Sequence, residues 1–226
     1  MTDSAQPPLP IVVLISGRGS NLQAIIESVT RGDLPVTIRA VISNRASAAG
    51  LQHAARAGIT TEVVAHTDYP DRTAFDRALQ ARIDSYTPAL VVLAGFMRIL
   101  TPAFVQHYYG RMLNIHPSLL PEFPGLDTHR RALAAGCTEH GASVHFVTEE
   151  TDGGPVFLQA RVPVYNNDTP DSLAQRVLEQ EHRIYPLAIR WFIEGRIFLE
   201  HSGQIVHDKR PLQSPKILYP DRDMPC

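Results

Sequence analysis

Hydrophobic residues in the first half of the chain fall alternately into short continuous runs and into segments with helical spacing. Residues 11–15 form an apolar run that is too short for a helix and is typical of a buried parallel strand. Leu22, Ile25, Ile26 and Val29 then recur on one helix face. The pattern continues with predicted strands at residues 37–42, 62–65 and 90–94 and predicted helices at about 46–57 and 72–85. This repetition predicts a mainly parallel sheet with right-handed crossovers.

A further predicted strand carries polar side chains at its carboxyl end. Met112, Leu113 and Ile115 indicate a short buried strand, whose period of two places Asn114 and His116 on one face. Prolines at positions 117, 121 and 124 end the strand and start an ordered loop. Ligand sites in open parallel sheets usually lie at this edge, so we expect Asn114 and His116 to face one cavity.

The remaining elements complete the predicted sheet. The pattern predicts a helix at 127–136, strands at 142–147 and 156–163, a long helix that starts at 169–171, and a hairpin at 196–206. Between the two strands, Gly153 and Gly154 suit a turn with positive φ that would direct the side chain of Asp152. Pro186 lies within the long helix and is expected to kink it.

These elements predict one α/β domain, a Rossmann-like open twisted sheet that is mostly parallel and has helices on both faces. We expect this domain to span residues 10–208. Residues 1–9 are polar and proline-rich and are expected to form a flexible tail. Residues 209–226 are expected to form a C-terminal tail.

The composition narrows the choice of partners. The 226 residues include 21 basic and 23 acidic side chains, and the formal charge of -2 gives no reason to expect nucleic acid or a membrane surface as a partner. Small-molecule substrates are therefore expected, with the oligomeric state left open between monomer and homodimer. The two cysteines, Cys137 and Cys226, and the lack of a basic, apolar leader are typical of an unprocessed cytoplasmic protein.

A glycine-containing turn follows the first predicted strand. Glycines in such a turn allow close backbone approach, and the free amides at the start of the next helix favour a phosphate. The dinucleotide fingerprint is absent, because Leu22 occupies the place of its third glycine. The strand at 37–42 is followed by Ser43 and Asn44 and not by an acid for a ribose diol. The turn therefore indicates a phosphate site and argues against a nicotinamide enzyme.

A metal site is the other chemical interpretation that the residues invite. Cys137, His140 and His145 lie close together in the sequence. Their spacing matches no known zinc-ligand pattern, and His140 lies beside a loop glycine. We therefore expect no metal.

Two separated motifs resemble those of the folate-dependent formyltransferases. Residues 114–121, Asn-Ile-His-Pro-Ser-Leu-Leu-Pro, match the signature of that family, and residues 97–100, Met-Arg-Ile-Leu, match a second segment. The resemblance extends from about Ile11 to about Gly195 and is closest to members that act on glycinamide ribonucleotide. It implies transfer of the formyl group of the cosubstrate 10-formyltetrahydrofolate to the amine of glycinamide ribonucleotide in de novo purine biosynthesis. It also implies a cis peptide bond between Leu120 and Pro121.

The resemblance assigns roles to particular residues. For catalysis it implies Asn114, His116 and Asp152. For the ribonucleotide it implies Gly19, Ser20, Asn21 and Glu181. For the folate it implies Arg72, Met97, Arg98, Ile99, Leu100, Asn114, Thr148, Glu149, Glu150, Thr151 and Asp152. Leu178 departs from the family, which has a glutamine there, so one polar contact near the nucleotide must be lost or replaced.

The implied chemistry suits the three catalytic residues. When an amine attacks a formyl carbon, negative charge develops on the formyl oxygen and a proton must leave the nitrogen. Asn114 can donate a hydrogen bond to that oxygen, and His116 can donate another or pass a proton. Asp152 would orient the imidazole and help to organise a relay water.

Three alternative functions remain open. Methionyl-tRNA formyltransferase has a similar loop but also an RNA-binding domain, for which this chain is expected to have neither the length nor the basic surface. Formyltetrahydrofolate hydrolase shares the catalytic trio but usually has an N-terminal regulatory domain, and about ten residues precede the first predicted strand here. A non-catalytic folate-binding protein is the third alternative, although it would be free to lose the trio.

Overall fold

The computed structural model describes residues 8–220 and contains a main sheet flanked by helices on both faces. The strands are β1 (Leu9–Ile15), β2 (Val36–Ser43), β3 (Thr61–Val63), β4 (Leu90–Leu93), β5 (Met112–His116), β6 (Glu139–Phe146), β7 (Val156–Pro163), β8 (Ile197–Leu199), β9 (Ile205–His207), β10 (Arg210–Pro211) and β11 (Lys216–Leu218). The helices are α1 (Ser20–Thr30), α2 (Gly50–Arg56), α3 (Arg72–Asp84), α4 (Pro102–His107), α5 (Thr128–Ala134) and α6 (Pro170–Ile193), and a 3₁₀ turn spans His66–Asp68.

The main sheet has the strand order β11-β7-β6-β5-β4-β1-β2-β3. Strands β3, β2, β1, β4 and β5 run parallel, whereas β6 is antiparallel to both β5 and β7. The predicted α/β fold with a mostly parallel sheet is therefore confirmed. The order reverses beside β1, which pairs with β2 on one side and β4 on the other, and ligands bind at such a switch point in open sheets.

Two apolar cores cover the two faces of the sheet, and the burial of β1 between them explains why its sequence is continuously hydrophobic. Ile11, Val13 and Ile15 pack into one core, and Val12 and Leu14 pack into the other. Each of the five side chains is fully buried, which is the arrangement expected of a central parallel strand.

The long helix α6 spans the first of these cores. Its buried face includes Leu173, Val177, Ile184 and Trp191, and the helix continues through Pro186. The single proton of the Tyr185 hydroxyl is shared between the carbonyl oxygens of Leu93 on β4, at 2.8 Å, and Leu113 on β5, at 3.0 Å. Helix α6 is thereby fixed against β4 and β5.

Several boundaries differ from the sequence prediction. The first strand begins at Leu9, inside the expected tail, and α2 begins at Gly50 and not near residue 46. Residues 209–220, expected to form a tail, contain β10 and β11, and β11 pairs in parallel with β7 at the edge of the main sheet. The pattern could not indicate β11, because it is three residues long and Leu218 is its one buried side chain. Residues 1–7 and 221–226 of the two expected tails lie outside the described part.

The predicted hairpin near the C-terminus is confirmed. Strands β8 and β9 pair in antiparallel fashion, and β10 extends them to a small separate sheet. Within residues 8–220, no helix combines the length and the apolar character that crossing a membrane would require.

Candidate active site

The imidazole of His116 lies between two oxygen atoms at the carboxyl end of β5. Its Nδ1 atom is 3.4 Å from Oδ2 of Asp152, and its Nε2 atom is 3.0 Å from the carbonyl oxygen of Phe123. The His116 ring is buried, and the Asp152 carboxylate is mostly buried. Because a carbonyl oxygen only accepts, Nε2 carries a proton. The imidazole can donate a hydrogen bond to each of the two oxygens when Nδ1 and Nε2 both carry a proton.

Asp152 is held in place by its backbone and by the loop that follows β5. Its φ of 54° lies in the left-handed region, where aspartate is one of the few tolerated side chains. Its Oδ2 atom also accepts a hydrogen bond from the backbone N–H of Gly125 at 2.9 Å. The structure therefore brings the predicted acid to the predicted histidine, and the same oxygen contacts both.

The glycine pair after Asp152 has a different role from the one predicted. We expected Gly153 and Gly154 to adopt positive φ, but it is Asp152 that does so. Close contact with the backbone requires glycine at position 154, whereas the contact at position 153 is with an exposed side chain that can move. A Cβ atom on Gly154 would collide with the carbonyl oxygen of Phe146, and one on Gly153 would collide with the side chain of Glu150.

Asn114 is oriented by a histidine that the sequence analysis considered only as a metal ligand. The Nδ1 atom of His145 is 3.0 Å from the carbonyl oxygen of Phe146, so Nδ1 carries a proton and donates. In the neutral ring Nε2 is then an acceptor, and it lies 3.1 Å from Nδ2 of Asn114. Burial lowers the pKa of His145 and favours this neutral form. This contact identifies the nitrogen, and not the oxygen, as the amide atom of Asn114 that faces β6. One N–H of Nδ2 donates to His145, and the other is available to a ligand.

Two further histidines, the buried His140 and the partly buried His129, lie near His116. The rings of His129 and His140 are 5.2 Å apart in an edge-on arrangement, and the ring of Phe123 contacts His140. Burial lowers the pKa of His129, and burial followed by repulsion from His129 lowers the pKa of His140 to about 4. Both rings are therefore neutral near pH 7. Within residues 8–220, no group of three or more His, Cys, Asp or Glu side chains could hold a metal ion.

The predicted phosphate turn adopts the expected geometry at the start of α1. Gly19 has a φ of 77° and precedes Ser20, the first residue of the helix. A Cβ atom on Gly19 would lie 2.6 Å from the Cα atom of Gly50, so close backbone packing excludes a side chain there. The turn therefore presents free backbone amides and the positive end of the helix dipole.

Asn21 and Glu181, which the sequence separates widely, meet beside this turn. Nδ2 of Asn21 donates to Oε2 of Glu181 at 2.6 Å, and both side chains are buried. Burial raises the pKa of Glu181, and the hydrogen bond from Asn21 opposes that change. Oδ1 of Asn21 is buried without a hydrogen-bond partner among the described residues. Leu178, on the same helix, is partly buried.

The loop after β4 exposes apolar side chains at the same sheet edge. Met97 is 62% exposed and Ile99 is 55% exposed, whereas Leu100 packs into the second core. The guanidinium of Arg98 lies 5.7 Å from the ring centre of Phe75 on α3, and Arg72 is exposed at the start of that helix. Two exposed apolar residues on a loop without regular structure form a surface suited to a flat aromatic ligand.

The loop after β6 provides the other expected folate-contacting segment. Thr148 is partly buried, and Glu149, Glu150 and Thr151 are exposed. The N–H of Gly153 donates to the carbonyl oxygen of Glu150 at 3.1 Å, which closes the turn that places Asp152. The Leu120–Pro121 bond, expected to be cis, is confirmed as cis.

Four further residues at this edge of the sheet were not predicted from the sequence. Phe123 and Gly125 contact His116 and Asp152 through backbone atoms, and the identity of a side chain gives no signal for such contacts. Ser16 and Asn44 form a buried hydrogen bond at the ends of β1 and β2. For these two a signal was available, because Ser16 directly follows the predicted strand at 11–15 and Asn44 lies two residues after the predicted strand at 37–42.

Comparisons with known proteins agree with the motifs. The family model described as Formyl transferase matches residues 9–189. The chain is 56% identical to phosphoribosylglycinamide formyltransferase of Escherichia coli strain K12 over 200 residues, which cover 88% of this chain and 94% of that protein. It is 49% identical to the Haemophilus influenzae protein of the same name, over 85% of this chain and 91% of that protein.

Solved structures give the same result. The phosphoribosylglycinamide formyltransferase of Coxiella burnetii, solved in complex with CHES, superposes with a TM-score of 0.89 at 55% identity. That comparison covers 93% of this chain and 99% of the other. The glycinamide ribonucleotide transformylase 1 of Symbiobacterium toebii superposes with a TM-score of 0.85 at 47% identity, over 92% and 94% of the two chains.

Proposed function

The chain belongs to the formyl transferase family, and from this premise we propose that it transfers the formyl group of 10-formyltetrahydrofolate to the amine of glycinamide ribonucleotide. The observation that carries the proposal is the meeting of Asn114, His116 and Asp152 at one sheet edge. In the sheet order, β4 lies next to β5 and ends in the exposed apolar loop, and β1 follows β4 and ends in the phosphate-type turn. Both proposed substrates are small molecules of de novo purine synthesis, which is expected to take place in the cytoplasm.

The folate fits the loop after β4. The exposed side chains of Met97 and Ile99 would contact the flat pterin ring, and backbone groups of the loop would meet its polar edge. Arg72 and Arg98 would lie toward the acidic part of the molecule, with residues 148–151 on the opposite side. When bound, the folate supplies the electrophilic formyl carbon that the amine attacks.

The ribonucleotide fits the turn at the start of α1. The amides near Gly19 and Ser20 would bind its phosphate, because they are free of intrahelical partners. Glu181 would accept hydrogen bonds from the ribose hydroxyls, and Asn21 holds its carboxylate in position for this. Leu178 cannot supply a polar contact, so neighbouring groups must bind that part of the nucleotide.

Asn114 and His116 would stabilise the charge that develops on the formyl oxygen. The second N–H of the Asn114 amide is available because His145 holds only the first. The His116 proton that the Phe123 carbonyl accepts in this structure is the one that the formyl oxygen would accept in the complex. Loss of one such donor typically lowers kcat by about 10²- to 10³-fold.

Asp152 would stabilise the protonated imidazole and receive the proton that leaves the amine through a water molecule. Its Oδ2 atom already contacts both Nδ1 of His116 and the N–H of Gly125. The second oxygen, Oδ1, is then the one directed to that water. When the tetrahedral intermediate collapses, the bond between the formyl carbon and N10 of the folate breaks. N10 then takes up the proton that the amine gave to Asp152, so tetrahydrofolate leaves.

A substrate-omission assay tests the proposal. Purified protein is incubated with 10-formyltetrahydrofolate and glycinamide ribonucleotide together and with each alone, and products are identified by mass spectrometry. We expect formylglycinamide ribonucleotide and tetrahydrofolate only when both substrates are present. Release of formate without the ribonucleotide would indicate the hydrolase instead, and the absence of turnover would contradict the proposal.

A further inference from the structure

Ser16 joins three strand ends beside the two proposed substrate sites. It is 5% exposed and follows β1 directly. Its backbone N–H donates to the carbonyl oxygen of Gly95 at 3.1 Å, and its Oγ atom accepts a hydrogen bond from the backbone N–H of Met97 at 2.7 Å. Its hydroxyl proton is donated to Oδ1 of Asn44, after β2, at 2.6 Å. One side chain therefore links the ends of β1, β2 and β4.

Asn44 fixes the direction of that hydroxyl group. A hydroxyl has one proton, and the short bond to Asn44 uses it, so the oxygen lone pairs are left for Met97. Asn44 is itself buried, and its Nδ2 atom lies 3.2 Å from Nδ1 of His66 after β3. The polar contacts therefore cross the carboxyl ends of β3, β2, β1 and β4, which are neighbours in the sheet.

The loop that Ser16 holds is anchored in the second core by Phe96 and Leu100, whereas its middle is exposed. Residues 95–100 have no regular secondary structure, and Met97 and Ile99 project into solvent. Gly95 adopts a φ of 75° where the chain leaves β4. Apart from these two anchors, the exposed side chains of Met97 and Ile99 contribute little packing, so the position of this part of the loop depends on backbone hydrogen bonds. Ser16 makes two of them, with Gly95 and Met97.

We propose that Ser16 is a positioning residue that sets the folate-facing loop at a fixed distance from the phosphate turn. The next residues after Ser16 form that turn, so its backbone belongs to one proposed site and its hydroxyl holds the other. Without the hydroxyl, the Met97 N–H loses its acceptor and the loop relaxes away from β1. The inference rests on the proposed function, and it assigns Ser16 no contact with either substrate.

The test compares Ser16→Ala with Ser28→Ala, which removes the hydroxyl of another buried serine, on α1. Wild-type turnover is established first, so that failure of the proposed function is seen separately. We expect Ser16→Ala to raise KM for 10-formyltetrahydrofolate about tenfold, the effect of leaving one backbone donor without its partner. KM for the ribonucleotide should change less than about twofold, and Ser28→Ala should change neither KM. Ser16→Thr, which retains the hydroxyl, should restore KM for the folate.

A measurement that does not depend on turnover follows the loop itself. Amide hydrogen exchange at Met97 should become faster in Ser16→Ala and in Asn44→Ala, and calorimetry with tetrahydrofolate should show correspondingly weaker binding. Thermal melting shows whether each variant is folded. Unchanged exchange at Met97, or equal increases in both KM values in folded Ser16→Ala, would overturn the inference. If the wild-type protein binds tetrahydrofolate but shows no turnover, the exchange rate at Met97 and the affinity from calorimetry still test the inference.

Discussion

Nδ1 of His116 lies 3.4 Å from Oδ2 of Asp152, although one residue ends a central strand and the other lies in a loop beyond the next strand. The antiparallel pairing of β5 with β6 accounts for this meeting. It places the start of the loop after β6 beside β5, and the left-handed backbone of Asp152 turns its carboxylate back toward His116. The contact therefore depends on the one part of the sheet that is not parallel.

Replacement of Asp152 by asparagine should remove the charge while retaining the size. We expect kcat for formyl transfer to fall about 10²- to 10⁴-fold, because an amide neither stabilises the imidazolium nor accepts the amine proton. The melting temperature should change little. Asp171→Asn, at an exposed position in the first turn of α6, is the control and should retain wild-type kcat. Near-normal turnover of Asp152→Asn would reduce Asp152 to a turn residue.

A second prediction concerns the orientation of Asn114 by His145. His145→Leu removes the acceptor of the Asn114 amide, so the amide rotates and its donor leaves the position of the formyl oxygen. We expect kcat to fall at least about tenfold with little change in either KM. His145→Gln can both accept from Asn114 and donate to the Phe146 carbonyl, so it should recover most of the rate. Equal kcat for the leucine and glutamine variants would show that this contact does not orient Asn114.

The strands were predictable because their signal is local. In β1, five consecutive apolar residues alternate between two cores, and a run of that kind identifies a buried parallel strand without knowledge of its neighbours. The same local period placed Asn114 and His116 on one face of β5. The family resemblance supplied Asp152, Asn21 and Glu181, whose spatial neighbours no periodicity indicates.

The features of the site that were not predictable from the sequence depend on contacts between residues that lie far apart in the chain or on the local course of a loop. The carbonyl oxygen of Phe123 contacts His116 only because the proline-rich loop folds back over β5. The positive φ occurs at Asp152 and not at Gly153 or Gly154, and glycine is needed at 154 because a Cβ atom there would collide with the carbonyl oxygen of Phe146. A propensity rule favours glycine for positive φ, but it contains no information about which neighbours are present.

A third prediction separates crowding from backbone conformation at the phosphate turn. Gly19→Ala places a Cβ atom 2.6 Å from the Cα atom of Gly50, so the turn must shift and ribonucleotide binding should weaken about tenfold or more. Folate binding should remain nearly unchanged. Gly58→Ala is the matched control, because Gly58 also has positive φ but has open space around its Cα atom.

Calorimetry with each substrate distinguishes the two glycine variants. The control should lose about 1 kcal/mol of stability from its backbone conformation and retain wild-type nucleotide affinity. If Gly19→Ala binds the ribonucleotide as tightly as Gly58→Ala does, the turn does not contact the phosphate.

The last prediction concerns acid sensitivity and follows from His140. This ring is 1% exposed, its Nε2 atom has no hydrogen-bond partner among residues 8–220, and burial lowers its pKa to about 4. In the unfolded chain the pKa is about 6.5, so the unfolded state binds a proton first as the pH falls. Protonation therefore stabilises the unfolded state, and the free energy of unfolding decreases as the pH falls from about 6.5 to about 4.

His140→Gln removes this titration without adding a charge. After allowance for solvent screening, we expect wild type to lose about 1 to 2 kcal/mol more of its unfolding free energy than the variant between pH 7 and pH 4.5. The comparison uses the slope with pH, because glutamine can change stability by a constant amount at every pH. Urea unfolding at several pH values measures that slope. His129 and His145, whose pKa values burial also lowers, continue to contribute in the variant, so its slope should decrease without reaching zero. Parallel curves for the two proteins would mean that His140 takes up its proton equally in the folded and unfolded states, and the buried neutral ring would then have no part in the acid sensitivity.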